Sequence, residues 1–135
     1  MIGASFLCDK KKFIEIGMFD EDFFFYWEDV ELSNRIQNFK YKIYQNNKSR
    51  AFHQNSNSSI RDFKTDFIRY ENFIFGELLY DHKNSRTRLV KILRKFTKGF
   101  LILFFNLIFF RFKSVNKSFA EIMGIIKFVK FFIKN

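Results

Sequence analysis

Residues 19–35 read Phe19-Asp20-Glu21-Asp22-Phe23-Phe24-Phe25-Tyr26-Trp27-Glu28-Asp29-Val30-Glu31-Leu32-Ser33-Asn34-Arg35. Three acids on consecutive residues, flanked by Phe on both sides, indicate a turn. Five aromatics in a row follow as a buried or lip-forming segment. The pair Glu28-Asp29 then opens a helix over Val30–Phe39, whose apolar residues Val30, Leu32, Ile36 and Phe39 recur at near-helical spacing with Arg35 and Gln37 outward. Upstream, Asp9 is placed to cap a short helix, Lys10–Ile16, that Gly17 ends in a left-handed conformation. Downstream, Tyr41–Tyr44 and Arg50–His53 have the composition of short strands, and Gln54–Ser59 that of a polar loop. Asp62–Tyr80 again carries aromatics and aliphatics at helical spacing. The order is helix, acidic turn, helix, strands, then a His before a loop. That order predicts an α/β chain.

The residues that carry chemistry have two readings each. Adjacent acids at a helix N-terminus complement the unpaired N–H groups and the dipole, which is a structural role. The functional reading of Glu28-Asp29 is a general base: a carboxylate beside aromatics that limit water access accepts a proton from a hydroxyl. His53 reads either as a satisfied structural histidine or as a site residue. Asp20-Glu21-Asp22 imitates a metal-binding D-x-D, but no strand delivers it and phenylalanines enclose it.

Composition bounds the rest. The chain has 135 residues, 23 Phe, no Pro and one Cys. That length suits one ordinary domain, and 47% hydrophobic content excludes disorder along the whole chain. One Cys excludes an internal disulfide framework and a cysteine-cluster zinc site, and fits a reducing compartment. Phe, Lys, Ile and Asn have A/T-rich codons, so the Phe excess carries no functional weight. Met1–Cys8 lacks the basic lead of a signal peptide and runs into Asp9-Lys10-Lys11-Lys12, a start expected inside a domain rather than at its edge.

The net charge of +10 is unevenly placed. Residues 1–60 are neutral, 61–82 carry −2, and 83–135 carry thirteen Lys/Arg against Glu121 alone. In that last third, basic residues from Arg86 to Lys98 interleave with Leu89, Val90, Ile92, Leu93 and Phe96 at helix-compatible spacing. Gly99–Phe110 is then uncharged, and Phe119–Ile133 repeats the pattern with Glu121, Lys127 and Lys130 inserted. Twelve helical residues reach only ~18 Å against a bilayer core of about 30 Å. The preferred reading is a tail, 83–135, of basic amphipathic helices lying on an anionic membrane surface. Packing as the core of a larger protein is the alternative. Continuous apolar runs such as Phe100–Phe105 argue against nucleic acid as a partner.

Taken together, Gly3-Ala4-Ser5-Phe6-Leu7, Gly17, Phe19-Asp20-Glu21, Phe23-Phe24, Tyr26, Glu28-Asp29-Val30-Glu31-Leu32, Arg35-Ile36, Tyr41-Lys42-Ile43, His53 and Ser58 resemble family 2 glycosyltransferases of the GT-A fold. Within these, the likeness is to the rhamnosyltransferase-type enzymes of bacterial surface-polysaccharide synthesis. The family pattern runs G-G-F-D-E-x-F-F-x-Y-x-E-D-x-D-L-x-x-R, a glycine, a strand, then H-x-x-G-x-S, and the match covers about residues 3–59. Met18 stands for the second glycine, Glu31 for the aspartate, Phe39-Lys40 where a glycine ends the helix, and Ser56 for the last glycine. At the helix end, Asn38 is the residue best suited to a left-handed turn.

The resemblance implies that residues 1–82 are the C-terminal, acceptor-side part of a GT-A domain. Asp29 would be the base that deprotonates the acceptor hydroxyl, with Glu28 as second candidate. Tyr26 and Trp27 would wall the acceptor site, Asp20 and Glu21 would shape the loop beneath it, and His53 would lie near metal and donor diphosphate. The implied reaction is inverting transfer from a nucleotide-sugar to a glycan or lipid-linked acceptor at the inner face of the cell membrane. A divalent metal, Mg or Mn, is expected for the complete enzyme, but the family's metal-binding aspartates and nucleotide-binding half belong before Gly3. The expectation is therefore that the chain is inactive by itself and works with a separate donor-binding half. The other class is a non-catalytic remnant that docks to a membrane or a partner.

Overall fold

The computed structural model describes residues 6–50, 62–86 and 89–134. They form two units, Met1–Ser58 and Ser59–Asn135. The division by packing falls ahead of residues 61–82, whereas the division by charge falls after them.

The first unit holds α1 (Lys10–Glu15) and α2 (Glu28–Asn38). Asp9 caps α1, its carboxylate accepting from the N–H groups of Lys11 at 2.9 Å and Lys12 at 3.2 Å. At the far end, the Gly17 N–H donates to the Ile14 carbonyl and the Met18 N–H to the Phe13 carbonyl, a Schellman ending with Gly17 at φ +86°. The unit buries Ile16, Phe23 and Leu32. Phe13 and Phe6 each set an edge against the Phe19 ring, at 5.5 and 6.0 Å between centroids.

The second unit is a helical bundle of α3 (Phe63–Lys83), α4 (Leu89–Ile108) and α5 (Phe112–Lys134). Asp62 opens α3, its carboxylate accepting from the Thr65 N–H at 2.6 Å, which holds the carboxyl below its usual range. Helix α5 packs against both others. The core is drawn mainly from α3 and α5, with Phe75, Leu78 and Leu79 buried on the first and Ala120, Ile122, Ile125 and Phe128 on the second. Gly124 lets the two backbones close up, since a Cβ there would collide with the Glu71 carbonyl oxygen. The acids of α3 take up part of the basic excess. Lys91 pairs with Asp81 and, at 3.4 Å, with Glu77. Lys95 meets Glu77 at 2.8 Å, and Lys127 donates to Asn72 Oδ1 at 2.8 Å with Glu71 at 3.8 Å.

Helix α4 is packed inside out. Its buried residues are Gly99 and Asn106, the latter donating to Ser118 Oγ of α5 at 3.3 Å. Phe100, Leu101, Phe104, Leu107 and Ile108 are each more than half exposed. Small and polar residues inward with large apolar ones outward is the arrangement of helices whose surroundings are hydrocarbon. Even so, no helix among the described residues is long and apolar enough to cross a membrane.

The expectation of an α/β domain is overturned. About 70% of the described residues are helical, and among them there is no strand and no sheet. Tyr41–Tyr44 has strand-like composition, but a strand exists only where a neighbour pairs its backbone groups, and no described segment does so. Tyr41 is instead held by side chains: its hydroxyl donates to Glu15 Oε2 at 2.8 Å, and Lys12 lies over its ring. That bond to a carboxylate also raises the Tyr41 hydroxyl above its ordinary pKa. The other expected strand, Arg50–His53, lies outside the described residues beyond Arg50.

Three further helix ends repeat the Schellman pattern without glycine. Lys40 (φ +59°), Ser85 (φ +55°) and Phe110 (φ +50°) each donate to the carbonyl three residues back, and the next residue reaches five back. The left-handed residue after α2 is therefore Lys40, not Asn38. Left-handed backbone costs a non-glycine residue roughly 1–2 kcal/mol.

Candidate active site

The first unit builds one structure out of the motif residues. Glu31 and Arg35 sit four apart on α2 and pair through both ends: Nε to Oε1 at 2.6 Å and Nη2 to Oε2 at 2.8 Å. The same guanidinium reaches back to the turn after α1, donating to the Ile16 carbonyl and, at 2.6 Å, to the Met18 carbonyl. Arg35 was expected to point outward. It turns inward because four acceptor oxygens converge where a fork of fixed donors fits them. Glu31 is buried, so the pair is shielded from competing water. Met18, standing where the family pattern has glycine, is left-handed at φ +57°. Lys40 is the second position where a residue standing for a pattern glycine adopts left-handed backbone.

This clamp ties α2 to the turn after α1. Tyr26 and Trp27, at φ +69° and +73°, form two successive left-handed residues, and Trp27 is the N-cap without a side-chain cap bond. Such residues cost about 1–3 kcal/mol each and persist where surroundings over-determine them, often at functional sites. The turn delivers Glu28 and Asp29 side by side into the first turn of α2, both half-buried. Among the described residues, Glu28 Oε2 is a buried carboxylate oxygen that accepts no hydrogen bond. Asp29 is tied through its backbone, its carbonyl accepting from Ser33 Oγ at 2.6 Å.

No family model matches this chain, and no curated protein or solved structure matches it either.

The other expected site residues distribute unevenly. Tyr26 and Trp27 stand half-buried beside the carboxylates, with Phe25 edge-on to Tyr26 at 4.7 Å. Asp20 is used in the turn itself, accepting from the Asp22 N–H at 3.1 Å while its carbonyl accepts from Phe23. Glu21 is exposed on that turn. His53 lies outside the described residues. Among the described residues no three His, Cys, Asp or Glu side chains come together to hold a metal ion. A carboxylate pair on a rigid helix start, with one oxygen unsatisfied, is equipped to accept hydrogen bonds and a proton from a hydroxyl ligand.

Proposed function

We propose that the first unit is the acceptor-side catalytic portion of a glycosyltransferase of surface-polysaccharide synthesis. Its basic tail would hold it peripherally at the inner face of the cell membrane. In this reading Asp29 takes the proton from an acceptor hydroxyl as that oxygen bonds to the sugar's C1. The bond from C1 to the nucleotide diphosphate breaks, with inversion. Glu28 accepts a hydrogen bond that orients the incoming hydroxyl. Tyr26 and Trp27 offer a ring face to the acceptor sugar. The nucleotide-sugar donor would be held elsewhere than on these residues.

The observation that carries this reading is the strained Tyr26–Trp27 turn presenting a carboxylate pair with an unsatisfied buried oxygen. Capping alone needs no such turn, because an ordinary extended N-cap presents acids to a helix start equally well. The reading rests on this local geometry and the motif residues, not on a sheet. In source cells whose own gene carries Asp29→Asn, the glycan bearing the transferred sugar is expected to fall at least ~100-fold with unchanged protein level. Retention in Asp29→Asn with loss in Glu28→Gln would move the base to Glu28. Unchanged glycan in both would refute catalysis and leave a docking protein.

A further inference from the structure

Between the first half of α4 and the second half of α5 runs an apolar groove of about 760 Å³, lined by Leu93, Phe96, Ile125, Val129 and Phe132 with Lys130 at its rim. We propose that this groove binds one hydrocarbon chain of an anionic, phosphate-bearing membrane lipid. This rests on the membrane-facing part of the reading above and not on its transfer chemistry.

Four observations carry it. The volume lies within the roughly 300–1,000 Å³ of small-ligand sites, and the lining is apolar apart from one cation. The charge is complementary. Lys130, one helical turn after Ile126 on α5, is the cation that lines the groove. Lys130 pairs with no acid among the described residues, whereas Lys91, Lys95 and Lys127 are engaged with Glu77, Asp81 and Glu71 of α3. The groove is also continuous with the outward face of α4. Leu89 and Leu93 lie in register with Phe100, Phe104 and Leu107, so a chain leaving the groove meets apolar surface over the length of the helix. Finally, the inside-out packing of α4 suits hydrocarbon on that side and not water.

The test uses the full chain with vesicles of phosphatidylcholine and phosphatidic acid, the latter carrying a photoreactive diazirine in mid-chain. Sedimentation with the vesicles is measured first, then the adducts are mapped. Adducts concentrated on residues 89–96 and 125–132 are expected. Val129→Trp, which fills the groove from a partly exposed position, should lower them about tenfold without reducing sedimentation. Lys130→Glu should shift labelling toward a phosphatidylcholine probe. Sedimentation with adducts confined to residues 100–110 would overturn the groove while leaving membrane association intact. Loss of sedimentation in unmodified chain would overturn both. Crosslinks joining two copies of the chain through these residues would assign the groove to self-association and overturn the proposal.

Discussion

Replacing Arg35 by Ala removes the group that ties α2 to the turn after α1. Four hydrogen bonds go with it, two to Glu31 and two to the carbonyls of Ile16 and Met18. The Glu31 side chain, 9% accessible, is left as a shielded carboxylate without its counter-ion, while Arg35 itself is 22% accessible. Breaking a fully buried pair from one side costs about 3–5 kcal/mol. The partial exposure of Arg35 reduces that to about 2–3 kcal/mol. A unit of this size has roughly 2–7 kcal/mol of stability in total, so the loss consumes much of it. Trp27 is the one tryptophan and belongs to the first unit, whereas most helical residues lie in α3–α5. Trp27 emission and far-ultraviolet circular dichroism therefore report different units in one urea titration. With a slope of about 1 kcal/mol per molar urea, the emission midpoint should fall by ~2–3 M while the main dichroism transition stays in place. Arg35→Lys should recover less than half, because an ammonium lacks the fork. Combining Arg35→Ala with Glu31→Ala should show a coupling of at least ~1 kcal/mol. An emission shift under ~0.5 M in Arg35→Ala would refute the clamp as the tie between α2 and the turn after α1.

Lys40→Gly and Phe110→Gly should each stabilise by about 1 kcal/mol, because glycine enters left-handed backbone without the Cβ penalty. Midpoints in urea, read by emission for Lys40 and dichroism for Phe110, check this, and destabilisation in both would contradict the assigned turns. Gly124→Ala should lower the thermal midpoint of the bundle by an amount matching about 1–3 kcal/mol, as its methyl would lie closer than 3.0 Å to the Glu71 carbonyl oxygen. Gly99→Ala meets only the Ile122 side chain at 3.3 Å and should cost clearly less. Equal effects in the two would undercut the backbone contact as the cause.

The helices were legible where local chemistry decides them. Asp9 and Asp62 mark the starts of α1 and α3, and Gly17 marks an end. Helix α2 begins two residues ahead of Val30, where its apolar pattern starts, because its first turn is acidic. Tyr41–Tyr44 misled because strand-like composition says nothing about whether a partner strand exists. The basic stretch and the uncharged stretch from Gly99 onward form one continuous α4. At the site, the placement of Glu28-Asp29 could be read. The Glu31–Arg35 spacing was also readable, but its destination, carbonyls 17 and 19 residues upstream, depends on tertiary packing. The left-handed Tyr26 and Trp27 leave no trace in sequence, since aromatic residues seldom adopt that backbone.

The helix endings without glycine also decide where the protein opens. Hydrogen exchange proceeds first through local openings with the smallest free energy, and a strained residue at a helix end lowers that energy for the turn it closes. Amides of the last turns of α2, α3 and α4, next to Lys40, Ser85 and Phe110, are therefore the weak latches of their helices. At the end of α1 the corresponding position is Gly17, so only its neighbour Met18 is a left-handed non-glycine residue. A chain short of glycine codons thus pays for its composition in the lifetime of its helix ends, not in the identity of its fold.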